Sequence, residues 1–208
     1  LSSTDEVHSG IVYGGDSSKK KFIYQNGYFI DYDALSKNQN SPLIFTAETS
    51  KPYLGNIFND NYKMNALLSI LGLINITIVE GQYIKGIYAN IESLIDLIIK
   101  NDHWIVSYCE WLFSLLRQIG YQVDYQQNIQ HQYFNLNNQS FSNELNENSI
   151  KFPHIMFLKN NEVTFRNIYV IFLVFESILT KNHLDNINYK MPVNFINFKN
   201  LILNKLKK

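Results

Sequence analysis

The first sixty residues alternate short apolar runs with glycines and prolines, a pattern that predicts β-strands separated by turns. β-Branched and aromatic residues fill the runs, and the predicted strands cover residues 7–13, 22–24, 28–32 and 43–48. Short strands of this kind indicate a small barrel or the remainder of one.

From Tyr62 onward apolar residues recur at intervals of three and four, which predicts amphipathic helices. Asp102 is a candidate N-cap, and Gly120 is a candidate helix terminator. A further helix is expected behind Asn161, and the last is expected to begin at Pro192. The predicted helices lie around 67–74 and 84–98, at about 103–119 and 162–180, and from 192 onward.

The segment between the third and fourth helices is rich in glutamine and asparagine and has no sustained period. We interpret residues 121–161 as a long irregular insertion, a feature that is uncommon in compact domains unless it has a function. The predicted fold class is α+β, with a β domain at 1–58 and a helical domain at 59–208.

Composition and charge limit the class of protein. Hydrophobic residues make up 46% of the 208 and charged residues 17%, as in a folded globular chain. Eighteen basic residues balance eighteen acidic ones, so any nucleic-acid surface must be local.

No apolar run reaches the roughly 18 residues that a membrane span needs. The single cysteine, Cys109, favours a reducing compartment, and we expect a cytoplasmic protein whose native start precedes Leu1.

Three consecutive lysines, Lys19, Lys20 and Lys21, directly precede the aromatic residues Phe22 and Tyr24. Lysines attract phosphates and exposed rings stack on bases, so this arrangement suits single-stranded nucleic acid. The alternative is a solvated lysine turn beside ordinary core aromatics.

The residue pattern offers no case for catalysis. Cys109 has no companion at metal-ligand or nucleophile spacing, and it is interpreted as a buried helical residue. His131 and His154 are the two histidines of the insertion and have no second ligand pair, so zinc is not expected. Asp31 and Asp33 alternate along a predicted strand and are explained by an exposed face. No phosphate-binding glycine loop is present, and we expect a protein that is not an enzyme and holds no cofactor.

Two segments, HSGIVYGGDSSKKKFIYQNG and WLFSLLRQIGY, resemble parts of the RecO family of recombination mediators. The first is similar to a glycine-ended strand with a basic loop, and the second to a central helix that ends in Gly-Tyr. The resemblance implies an N-terminal barrel of the oligonucleotide-binding (OB) type, followed by a helical domain with an insertion that carries a four-cysteine zinc site in some members.

The chain departs from the family pattern in three respects. The first barrel strand and most of the second are expected upstream of Leu1, so the OB-type barrel is predicted to be partial. Leu112 stands where the family has an acidic residue after the aromatic of the central helix. The insertion contains no cysteine, so the zinc site is expected to be absent.

The resemblance implies a mediator that binds single-stranded DNA, anneals strands and helps load recombinase with a RecR-type partner. The acidic tail of single-stranded-DNA-binding protein is expected to bind on the central helix at Phe113, Leu116 and Arg117, although Cys109 stands where a basic residue is expected. The alternative is that the apolar residues of this helix, Trp111, Phe113, Leu115 and Leu116, are ordinary core. The alternative function is a helical protein-interaction module whose degenerate β domain does not bind DNA. The predicted DNA-binding residues are Lys19, Lys20, Lys21, Tyr24 and Lys37.

Overall fold

The structure is a computed structural model that describes residues 1–18, 20–38, 41–51, 53–159 and 163–207. Lys19, a predicted DNA-binding residue, lies outside the described residues. Asn161 and Glu162, at the predicted start of the fourth helix, also lie outside them.

The N-terminal strands form an open sheet in the order β1-β3-β2, and no closed barrel is seen in the described chain. Strand β1 (Gly10–Ile11) pairs in parallel with β3 (Leu43–Thr49), and β2 (Ile30–Leu35) pairs antiparallel with the other edge of β3. The predicted OB-type barrel is therefore not confirmed. The strand predicted at 22–24 is wrong, because these residues lie in consecutive turns in which the Ile23 N–H donates to the Lys20 carbonyl.

Seven α-helices are described after the first sheet, and a π-helix (Thr180–Leu184) and a 3-10 helix (Asp185–Ile187) follow the sixth of them. The caps explain their bounds: the Asp60 carboxylate accepts the backbone N–H groups of Tyr62 and Lys63, and Gly120 follows the end of α4 at a φ of +96°. The predicted N-cap at Asp102 is wrong, because α4 begins after Trp104. The helices are α1 (Tyr53–Ile57), α2 (Asn61–Thr77), α3 (Ile87–Lys100), α4 (Ile105–Gln118), α5 (His154–Lys159), α6 (Phe165–Leu179) and α7 (Val193–Leu206).

The insertion is more regular than the sequence predicts. It contains a second antiparallel sheet in the order β5-β4-β6, formed by β4 (Tyr133–Asn135), β5 (Ser140–Ser142) and β6 (Ser149–Lys151). The buried Asn135 side chain accepts the backbone N–H groups of Asn137 and Asn138 and thereby fixes the turn between β4 and β5.

The hydrophobic core belongs to the helical part of the chain. Among the described residues, every buried apolar side chain lies between Ile57 and Leu203. Helices α2 and α7 pack along each other, and α4 packs on both α3 and α6. From the N-terminal region, Val7 and Phe29 are only partly buried against this core. The first sheet therefore has no fully buried apolar side chain of its own.

A junction of aromatic and charged residues connects the first sheet to the helices. The Phe29 ring lies edge-on to Tyr53 at 4.8 Å between centroids, and to Tyr88 of α3 at 6.1 Å. Lys51 forms an ion pair with Glu92 of α3. No helix in the described part of the chain has the length and apolar character needed to cross a membrane.

Candidate nucleic-acid interface

The lysine turn, defined by residues 12–18 and 20–25, is built from successive backbone turns. Gly14 adopts a φ of +66°, which glycine tolerates at no steric cost, and the Ser17 N–H donates to its carbonyl over 3.0 Å. The Ser17 carbonyl in turn accepts the N–H groups of both Lys20 and Lys21, at 3.0 and 2.9 Å. The local backbone thus holds the two lysines next to each other.

The lysine turn surrounds an open concave patch of about 520 Å³. Lys21 is exposed at its wall, and Tyr24 presents a partly exposed ring. Asp16 also contributes to the wall, so the patch combines both charges. The lining residues are Val12, Gly14, Gly15, Asp16, Lys21, Tyr24 and Gln25.

Exposed rings accompany the two lysines. Tyr13 is 61% exposed and Phe22 is 51% exposed, and neither position is explained by burial in a core. The Lys20 ammonium donates to the backbone carbonyl of Tyr13 over 3.0 Å, which fixes this charge at the Tyr13 backbone. Tyr13 was not among the predicted site residues, although an aromatic directly before two glycines was the signal that could have identified it.

The structure does not unite all the predicted DNA-binding residues. Lys20 and Lys21 share one turn with Tyr24, whereas Lys37 is exposed in the loop that follows β2 and is not part of the wall of the concave patch.

A second depression, of about 270 Å³, lies on the outer face of α4. The Phe113 ring forms its floor and is 3% exposed, while Arg117 one turn later is exposed at the edge. Leu116, which was predicted to contact the same partner, is fully buried and packs in the core instead. The lining residues are Glu110, Phe113, Ser114, Arg117, Tyr125 and Gln126.

The electrostatics of the α4 depression are set by partial burial. Burial raises the pKa of the Glu110 carboxyl above its usual range. Burial also raises the pKa of Tyr125, and the negative charge of Glu110 adds to that shift. Cys109 is fully buried, and burial raises the pKa of its thiol, so it is not a nucleophile at this surface.

An aromatic cluster beneath the α4 depression attaches the insertion to the helix. The Phe113 ring lies 5.3 Å from Tyr125 and 6.0 Å from both Phe152 and Phe157, measured between centroids. Tyr125 itself lies 4.6 Å from Phe157. Packing of this kind supplies hydrophobic burial without a metal ion. The contribution of Tyr125 was missed because it lies in the stretch without sequence period.

No group of three potential metal ligands occurs among the described histidine, cysteine, aspartate and glutamate residues. The two histidines of the insertion have other partners. His154 Nε2 lies 2.9 Å from the His131 carbonyl, and His131 Nδ1 lies 3.0 Å from the Asn128 side-chain oxygen.

Comparison with known proteins shows similarity to curated proteins named DNA repair protein RecO. The chain is 26% identical over 117 residues to that of Dinoroseobacter shibae, covering 56% of this chain and 48% of the relative. It is 27% identical over 118 residues to that of Rickettsia canadensis, covering 57% and 48%. For Rickettsia akari the identity is 29% over 119 residues, covering 57% and 49%.

The chain spans about half the length of the curated relatives that it matches. No protein-family model matches the chain, and no solved structure matches it.

Proposed function

We propose that this chain, whose similarities support its assignment to the RecO family, acts in DNA repair by binding single-stranded DNA. The observation that carries the proposal is the concave patch, where Lys21 and Tyr24 line one wall and the exposed rings of Tyr13 and Phe22 lie in the same turn. Charge and stacking surfaces thereby coincide in one short segment.

The proposed binding mode combines two physical effects. The ammonium groups of Lys20 and Lys21 attract phosphates and release the counterions condensed on the strand. The rings of Tyr13, Phe22 and Tyr24 accept bases by stacking, which contributes roughly 1–3 kcal/mol for each base and requires no particular sequence. Binding is therefore expected to be general for single strands.

The finer role that we propose is that of a recombination mediator. The protein would anneal a bound strand to its complement. Alternatively, together with a RecR-type partner, it would help recombinase replace the single-stranded-DNA-binding protein on the strand. The α4 depression suits the acidic, aromatic tail of that protein, because Arg117 can pair with a carboxylate and the Phe113–Tyr125 floor can take a ring. No chemical reaction is part of this proposal.

The test of DNA binding is the salt dependence of affinity for a labelled oligonucleotide, measured by fluorescence anisotropy. Each phosphate contact to a single strand contributes a slope of about −0.7 in log affinity against log salt. The Lys20→Gln/Lys21→Gln variant is expected to flatten the slope by about 1.4 for all sequences alike. The control, Lys85→Gln/Lys190→Gln, removes two exposed lysines elsewhere and is expected to leave the slope unchanged.

A second candidate function is a helical protein-interaction module without DNA binding. The lack of a fully buried apolar side chain in the first sheet favours it, as does the formed depression on α4. The anisotropy measurement separates the two functions. An oligonucleotide affinity that is unaffected by the double lysine variant, together with binding of an acidic peptide, would support the interaction module.

A further inference from the structure

The turn at residues 25–28 contains the pair Asn26–Gly27, an asparagine directly followed by a glycine. The Tyr28 N–H donates to the Gln25 carbonyl over 3.2 Å, and Gly27 adopts a φ of +91°, as in the third position of a type II turn. Asn26 is exposed. Among the described residues, none hydrogen-bonds to the Asn26 side chain or to the Gly27 N–H, so both groups are free to approach each other.

We propose that Asn26 is a site of spontaneous deamidation. The backbone nitrogen of Gly27 attacks the Asn26 Cγ, its proton passes to the departing amide, and ammonia leaves as a five-membered succinimide ring closes. Water then opens the ring at either carbonyl and yields aspartate or isoaspartate. Glycine permits the attack because it has no Cβ to hinder the approach and its backbone moves easily. Of the two residues, Asn26 is the one whose side chain is chemically unstable, because asparagine is among the thermolabile amino acids.

The consequence follows from the place of Asn26 in the chain, and it rests on the proposed DNA binding. Its neighbour Gln25 lines the concave patch together with Lys21 and Tyr24. Deamidation replaces a neutral amide with a carboxylate at the edge of this patch. The new negative charge repels phosphates and partly cancels the positive charge of the two lysines. Deamidation of Asn26 would therefore lower the affinity for single-stranded DNA.

The chemical step is tested by incubating the full chain at mildly alkaline pH, followed by digestion and mass spectrometry. The peptide that carries Asn26 is expected to gain the mass difference between an amide and a carboxylic acid, and to contain isoaspartate. Asn148, which precedes Ser149 rather than a glycine, is an internal comparison and should convert more slowly. An Asn26 peptide that stays unmodified, or converts no faster than the Asn148 peptide, overturns the proposed site.

The functional step is tested by comparing Asn26→Asp with Asn26→Gln in the anisotropy assay. The aspartate variant is expected to bind an oligonucleotide about two- to fivefold more weakly at low salt, with the difference vanishing at high salt. Equal affinities at low salt would contradict the link to binding. The mass-spectrometric result is independent of DNA, so it stands even where the lysine variants show that the DNA-binding proposal itself is wrong.

Discussion

The carboxylate of Asp5 caps helix α3 from 81 residues away, accepting the Gly86 N–H over 2.6 Å through one oxygen. Its other oxygen accepts the Tyr88 N–H over 3.0 Å. Gly86 occupies the N-cap position and has no side chain to make these bonds itself. A residue from the N-terminal segment thus completes a helix of the core, and it holds a φ of +65° to do so.

Replacing Asp5 with alanine should lower the free energy of unfolding by about 1 kcal/mol, because two N–H groups of α3 lose their acceptor. Asp5→Asn should be milder, since an amide oxygen can still accept and asparagine tolerates the left-handed conformation. Urea denaturation measures both effects. Glu147→Ala, at an exposed position in the insertion, is the control that should change nothing, and equal stability of Asp5→Ala and the control would refute the capping role.

The buried hydroxyls of Ser69 and Tyr108 share a hydrogen bond of 2.6 Å between α2 and α4. Tyr108→Phe leaves the Ser69 hydroxyl unpaired in the core, at a cost of about 1–3 kcal/mol in unfolding free energy. The double variant Ser69→Ala/Tyr108→Phe should be more stable than Tyr108→Phe alone, because no unpaired group remains. A chemical-denaturation cycle measures the coupling, and strictly additive losses would show that the bond contributes nothing.

Stability should fall on acidification because of His154. Burial lowers the pKa of this imidazole, so it stays neutral in the fold, packed 4.8 Å from the Phe152 ring. The unfolded chain takes up a proton as pH falls through about 6.5, and below that pH the free energy of unfolding decreases. Denaturation at pH 7.5 and at about 5.5 should show a smaller loss for His154→Phe than for the unmodified chain. The exposed His103 provides the control variant, His103→Gln, which should retain the full loss.

Arg117 should determine binding of an acidic partner to the α4 depression. A peptide with acidic residues before a terminal phenylalanine is expected to bind about tenfold more weakly to Arg117→Glu at low salt, because a charge-assisted contact becomes a repulsion. Arg166→Glu makes the same charge reversal at the other, exposed arginine and should leave affinity unchanged. Calorimetric titration measures the peptide affinity of both variants. Equal affinities would show that Arg117 does not contribute to binding.

The long helices are predictable from the sequence because their signals are local. The apolar spacing of α2, α3 and α6 and the stop at Gly120 depend on neighbours within a few residues, and each is present in the structure. The sheet of the insertion was missed because its strands have three residues each, too few for an alternating pattern. Their pairing depends instead on contacts such as the one between Phe134 and Phe141.

The two candidate sites differ in the same respect, because one is formed by neighbouring residues and the other by residues that are distant in the sequence. Lys20, Lys21 and Tyr24 could be grouped from the sequence because they are close neighbours in the chain. The floor of the α4 depression could not, since Tyr125 reaches Phe113 only after the chain has turned back at Gly120. Helical spacing also allowed Leu116 to lie in the core, and the structure buries it completely together with Leu112 and Leu115 of the same helix.

The first sheet, which lacks a fully buried apolar side chain of its own, is expected to open before the helices do. Its amide hydrogens should exchange with solvent through local opening at a free energy well below that of global unfolding. A strand of DNA bound at the lysine turn would then stabilise the least protected part of the molecule. Ligand binding would be visible as slower exchange across β1, β2 and β3, and the midpoint of global melting would also rise with DNA concentration, because the bound strand stabilises only the folded state.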